Sequence, residues 1–117
     1  MALIPPDLDF LVNKELIQTC FGLHQLILNF TEDTSISIEH KLIYTNKGGR
    51  SFTWLPGERN DVPLQLLLDH KITAVQTSPD QSFNLSFDNG DTLIVEAAKN
   101  TGFESYQITH GTKYYVV

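Results

Sequence analysis

The sequence holds one cysteine, one methionine and one tryptophan in 117 residues, with only eight Lys and Arg against fourteen Asp and Glu. Each scarcity excludes something. A lone Cys20 cannot close an internal disulfide, so a reducing compartment, the cytoplasm, is expected. A formal charge of −6 repels phosphate backbones and anionic headgroups, so neither nucleic acid nor a membrane surface is an expected partner. No run approaches the roughly 20 apolar residues that would span a bilayer. Residues 1–10 carry Pro5, Pro6, Asp7 and Asp9 with no basic flank, unlike a signal peptide.

What is present reads as one globular domain. The hydrophobic fraction is 41% and the charged fraction 19%, enough apolar material for a single core. Three blocks recur in order. Residues 8–16 align with 64–72, 17–19 with 75–77, and 28–39 with 85–96, at offsets of 56, 58 and 57. Duplication is the expectation: two approximate repeats, 5–45 and 61–117, joined by a 46–60 connection and burying their apolar sides against each other.

Each unit is expected to open with a short helix. Leu8, Leu11, Val12 and Leu16 recur at near-helical spacing after Pro5 and Pro6. Asn60 or Asp61 could cap a second helix over 62–69, with Pro63 in its first turn. Strands then follow. Phe83, Leu85 and Phe87 alternate with polar residues, as do Leu26, Leu28 and Phe30, then Leu93 with Val95, and Ile36 with Ile38. The predicted fold is therefore α+β and mostly β, a sandwich or partly closed barrel of two helix-plus-meander units.

Turn chemistry fixes one register. A two-residue Asn89-Gly90 turn would split the apolar residues between two faces. A three-residue loop, Asp88-Asn89-Gly90, instead pairs Leu85 with Leu93 and Phe83 with Val95, and gathers all five on one side. Gly90 would then take the left-handed conformation of a bulged turn. Asp33 occupies the same place in the first unit. The C-terminal hairpin pairs Tyr106 with either Tyr114 or Tyr115, and the residues do not choose between them.

Candidate chemistry is thin. His24, His40, His70 and His110 are dispersed, and Glu39 and His40, adjacent on a strand, point to opposite faces. No metal site and no cofactor is expected. Cys20 reads as a small buried strand residue rather than a nucleophile. Glu39 and Glu96 occupy matching positions and are the pair an enzyme would use with a histidine, but both sit on the polar side of alternating strands. The segment 41–60 stands apart, with Lys41, Lys47, Arg50 and Arg59 holding four of the eight cations. Tyr44, Lys47, Arg50, Phe52, Trp54 and Arg59 form the candidate binding cluster, suited to an anionic ligand or a partner hot spot; the alternative is a long hairpin whose aromatic rings cover the core. Ile27 and Ile94 interrupt polar faces and could meet in a homodimer interface if those faces adjoin.

The L-x-F-x-x-G-x-x-L-x-V-E run over residues 85–96, followed by Phe103-Glu104-Ser105-Tyr106, resembles small uncharacterised bacterial β-rich proteins. In these an F-x-[DN]-G turn joins two strands and an aromatic-E-S-[WY] strand follows. This chain departs in having Asp88-Asn89-Gly90-Asp91 at the turn and Tyr106 where tryptophan often stands. The resemblance implies an immunity-type or accessory factor and no catalytic residues. The expected function is a non-enzymatic interaction module with a protein partner, possible as a homodimer. An acidic inhibitor of a basic toxin is the first alternative, and a small enzyme using Glu39 or Glu96 the second.

Overall fold

The computed structural model describes residues 8–57, 62–97, 105–111 and 113–116, the last four as backbone alone. It is all-β. Among the described residues, ten strands form two five-stranded antiparallel sheets. The first sheet has the order β1 (Leu16–Phe21), β2 (Leu26–Phe30), β3 (Thr34–Ile38), β9 (Tyr106–His110), β10 (Lys113–Val116). The second has the order β5 (Ser51–Trp54), β4 (Lys41–Thr45), β8 (Thr92–Glu96), β7 (Phe83–Phe87), β6 (Ile72–Thr77). Each meander thus lends its following hairpin to the other's sheet: β4–β5 pairs with β8, and β9–β10 with β3.

The α+β expectation is overturned. Where helices were expected the chain makes two 3-10 turns, Asp9–Leu11 and Leu64–Leu67. One turn suffices to bury Leu8 and Leu11, or Leu64 and Leu67. Val12 and Leu68 are already extended, and Asn13 (φ 73°) and Asp69 (φ 69°) then swing the chain through the left-handed region into a strand. Short segments of this kind take their conformation from packing rather than propensity. Pro63 stands just before the second turn; Asn60 and Asp61 lie outside the described residues.

The two meanders meet at their starts. Asn13 N–H donates to Ile72 O (2.7 Å) and Asp69 N–H to Leu16 O (2.9 Å). Leu16 N–H donates to His70 O (3.1 Å) and Ile72 N–H to Lys14 O (3.0 Å). The four bonds surround an antiparallel bridge between Glu15 and Lys71, and exchanging the two meanders exchanges the bonds. Both β1 and β6 carry a bulge one residue later, after Leu16 and after Ile72. This geometry sets Ile17 beside Thr73 in the correspondence and Cys20 beside Gln76, so the alignment of 17–19 with 75–77 is two residues out.

The core lies between the sheets. Leu26, Leu28, Phe30, Ile36, Ile38 and Ile108 face Leu42, Tyr44, Phe83, Leu85, Leu93 and Val95 in one buried cluster. The rings of Tyr106 and Phe83 meet edge to face across the sheets at 5.0 Å, and the Tyr106 hydroxyl donates to Gln81 O (2.6 Å). Tyr106 is therefore fully buried with its polar tip satisfied.

Phe83 does pair with Val95 and Leu85 with Leu93. Phe87 N–H donates to Asp91 O (2.9 Å) and Gly90 N–H to Phe87 O (3.0 Å), with Gly90 at φ 90°. The segment 46–60 is more than a connection. It contains β5, reached from β4 by a loop of the same design: Asn46 N–H donates to Arg50 O, Gly49 N–H to Asn46 O, and Gly49 has φ 90°. The C-terminal hairpin takes neither expected register. Lys113 pairs with His110, Tyr114 with Thr109 and Tyr115 with Ile108, so neither Tyr114 nor Tyr115 stands opposite Tyr106.

A Cβ at position 90 would sit 3.1 Å from Lys47 Cβ in a backbone conformation that disfavours L side chains. Gly90→Val is expected to destabilise by about 1–3 kcal/mol. Asp33 has φ 53°, so Asp33→Gly is expected to be neutral or stabilising, within about 1 kcal/mol. Denaturant melts of the two variants check both signs.

Candidate interaction surface

Of the sequence-predicted cluster, the structure brings some members together and buries others. Tyr44 is 0% exposed and Trp54 2%, so both rings are core. Phe52 is half-buried on the edge strand β5, with its centroid 5.9 Å from that of Tyr44 and the Arg50 guanidinium 5.0 Å above its ring. Lys47 and Arg50 are exposed at the loop. Arg59 lies outside the described residues. The long-hairpin alternative thus accounts for the aromatic residues, and the exposed remainder is a pair of cations.

That loop is held rigidly. Asp91, 5% exposed, accepts from the Tyr44 hydroxyl (2.5 Å), the Lys47 N–H (2.9 Å) and the Asn89 amide (3.0 Å). Burial first, then the hydrogen bond to Asp91 and its charge, push the Tyr44 hydroxyl far above its ordinary range. Asp91 ties the β4–β5 loop to the β7–β8 loop. At the corresponding place in the first sheet, buried Thr34 bonds the Nδ1 of His110 (2.9 Å). These are structural fasteners, and they explain a buried carboxylate without catalysis.

The remaining ionisable candidates are also accounted for. Glu96 pairs with Lys41 at 3.1 Å. Glu39 lies in the two-residue crossover between β3 and β4, its N–H bonded to Ser105 O. Lys14, only 7% exposed, donates to Glu32 (2.5 Å), and His70 Nδ1 to Asp88 (2.6 Å). Both bonds tie a meander's start to the loop of its second hairpin, β2–β3 or β7–β8. Among the described residues no group of three or more His, Cys, Asp and Glu could hold a metal ion.

Ile27 and Ile94 are both half-buried on outer faces, but of different sheets. The sheets put their inner faces together, so these two outer faces point away from each other. The interface expected from them does not assemble on one molecule.

A different surface stands out. Among the described residues, the exposed large apolar side chains are Ile17 (52%), Phe21 (51%), Leu23 (64%), Leu66 (58%) and Leu68 (36%). Ile17 and Phe21 belong to β1, an edge strand, and Leu23 to the turn that follows it. Leu66 lies in, and Leu68 just after, the 3-10 turn seated against β1, anchored there by the Asp69 bond to Leu16. Gly57 N–H donates to Leu23 O (2.8 Å), which fixes the turn beyond β1. Beside Ile17 an open groove of about 530 Å³ has Asn29, Glu32, Asp33, Ser35 and Thr109 in its lining.

The sequence reading missed this strip because the bulge after Leu16 breaks the alternation of residues 16–21. One signal was available. No Asp, Glu, Lys or Arg occurs between Glu15 and Glu32, the longest such interval in the chain.

The family model described as "Family of unknown function (DUF6188)" matches residues 9–117, and the chain belongs to that family. No curated protein and no solved structure matches it. No helix among the described residues is long and apolar enough to cross a membrane.

The paired carboxylates give a pH dependence. The hydrogen bond from Lys14, with its charge, holds Glu32 below the usual carboxylate range, and the bond from His70 does the same for Asp88. A depressed acid stabilises the fold above its unfolded value and loses that contribution as pH falls through the folded one. A Glu32→Gln/Asp88→Asn double variant should therefore melt below the wild type at neutral pH. The gap should close as pH drops below about 4; one that persists in strong acid contradicts the assignment.

Proposed function

We propose that this member of the family is a non-enzymatic interaction module that docks another polypeptide along β1. The supporting observation is the exposure of Ile17 and Phe21 on one edge strand, of Leu23 in the turn after it, and of Leu66 and Leu68 in the segment seated against it. Isolated exposed apolar residues need no explanation, but a cluster on an open sheet edge is a hazard unless something covers it. An edge strand also offers unpaired backbone groups to an incoming strand, the basis of recognition by strand addition. The other polar features already have structural work: Asp91, Thr34, Lys14 and Glu96 each hold two elements together. We assign the chain no reaction.

A second reading keeps the same class and changes the surface. An immunity-type inhibitor of a basic toxin would use the acidic end of the first sheet, where Glu32 and Asp33 are exposed at the loop and Asp69 is exposed at the crossing. The net charge of −6 favours rapid capture of a cationic partner.

Phe21→Ser/Leu23→Ser tests the first reading. Both side chains are exposed, so melting should shift little. Affinity capture from lysate, compared between wild type and variant by mass spectrometry, should lose a specific protein with the variant. Identical capture by both counts against β1. A strongly basic partner that both forms retain, and that salt releases, supports the second reading instead.

A further inference from the structure

We infer that the occupant of β1 is the β1 of a second copy, so that two first sheets join edge to edge about a twofold axis. The inference rests on the reading of β1 as the docking strip and names what covers it.

The backbone is arranged for this. Gly22 N–H donates to Gln25 O (2.7 Å), and Cys20 and Gln18 pair across to Ile27 and Asn29. In an antiparallel ladder alternate residues turn their N–H and C=O toward the same neighbour. Gly22, Cys20 and Gln18 therefore face β2, and Thr19 and Phe21 direct theirs outward from the sheet. A twofold axis normal to the sheet sets β1 antiparallel to its copy. The outer faces then stay continuous, and the order becomes β10-β9-β3-β2-β1 followed by its mirror sequence.

Charge selects the second copy over a basic segment. Each molecule carries −6, so two copies repel wherever carboxylates face each other and can approach only across neutral surface. The interval from Leu16 to Thr31, which supplies all of β1 and β2, has no Asp, Glu, Lys or Arg. A strip built to take a cationic strand would carry acids of its own. Both edges of the second sheet are less suitable. β6 exposes the small or polar Thr73, Ala74, Gln76 and Thr77, and β5 starts beside the exposed Arg50. Strand pairing alone covers little area, whereas stable interfaces bury about 1,200 Å² or more. Phe21 on the strand, with Leu23, Leu66 and Leu68 beside it, supplies the apolar part of that contact.

Light scattering on the wild-type chain should show concentration-dependent conversion of a 13.2 kDa species to one of twice that mass. Thr19→Pro removes the outward N–H. Proline is tolerated where an edge N–H faces solvent, so the monomer should keep its melting behaviour while self-association weakens about tenfold or more. Should Thr19→Pro not fold, hydrogen exchange of the wild type reads the same contact: the Thr19 and Phe21 amides should become protected as concentration rises. A chain that stays monomeric up to about 1 mM overturns the inference. So does a dimer indifferent to Thr19→Pro, or one without concentration-dependent protection at Thr19 and Phe21. Neither result touches the capture experiment with Phe21→Ser/Leu23→Ser, which judges the docking strip itself.

Discussion

Four reciprocal hydrogen bonds around the Glu15–Lys71 bridge hold the architecture together. They join the start of one meander to the start of the other before either has formed its first hairpin. Both partners need a left-handed residue at the crossing, supplied by Asn13 and Asp69, residue types that tolerate that conformation better than most. The side chains beside the crossing reinforce it. Lys14 reaches back to Glu32, and His70 to Asp88, so each start is tied to its own hairpin loop as well as to the other meander. The exchange of the β4–β5 and β9–β10 hairpins adds a second connection at the far side of each sheet.

The crossing also decides what is left open. Leu16 and Ile72 are fully buried where the strands meet. Past the bulges, β1 and β6 diverge and each becomes an edge. On β6 the exposed positions hold threonine, alanine and glutamine, and the edge is unattractive to other chains. On β1 they hold isoleucine, glutamine and phenylalanine. Two strands with corresponding bulges and corresponding anchors therefore have different surfaces, and that difference supports an interaction role for β1.

Much of this was legible from the residues. Alternation located β2, β3, β7 and β8, and Gly90 with its apolar neighbours fixed the β7–β8 register correctly. That success is local: turn type and face assignment were both set by residues within a dozen positions. The errors share a different origin. Leu8, Leu11 and Leu16 fit a helical spacing, but Asn13 reverses the chain between them, and only the bond to Ile72 shows why. Tyr44 and Trp54 looked available for binding because nothing in the segment 41–60 reveals that β4 lies beside β8. Ile27 and Ile94 looked like partners because both interrupt polar faces, yet the two meanders belong to different sheets, which puts these residues on opposite sides of the molecule. The edge status of β1, on which the functional reading depends, is likewise a property of strand order.

The most direct test of this architecture is native-state hydrogen exchange under increasing denaturant. If the crossing locks the meanders into one cooperative unit, the amides of Asn13, Leu16, Asp69 and Ile72 should exchange only through global unfolding. Core amides of β2 and β7 should then merge with them on a single isotherm. Separate isotherms for the two meanders, or crossing amides that exchange by local opening while β2 and β7 stay protected, would contradict it.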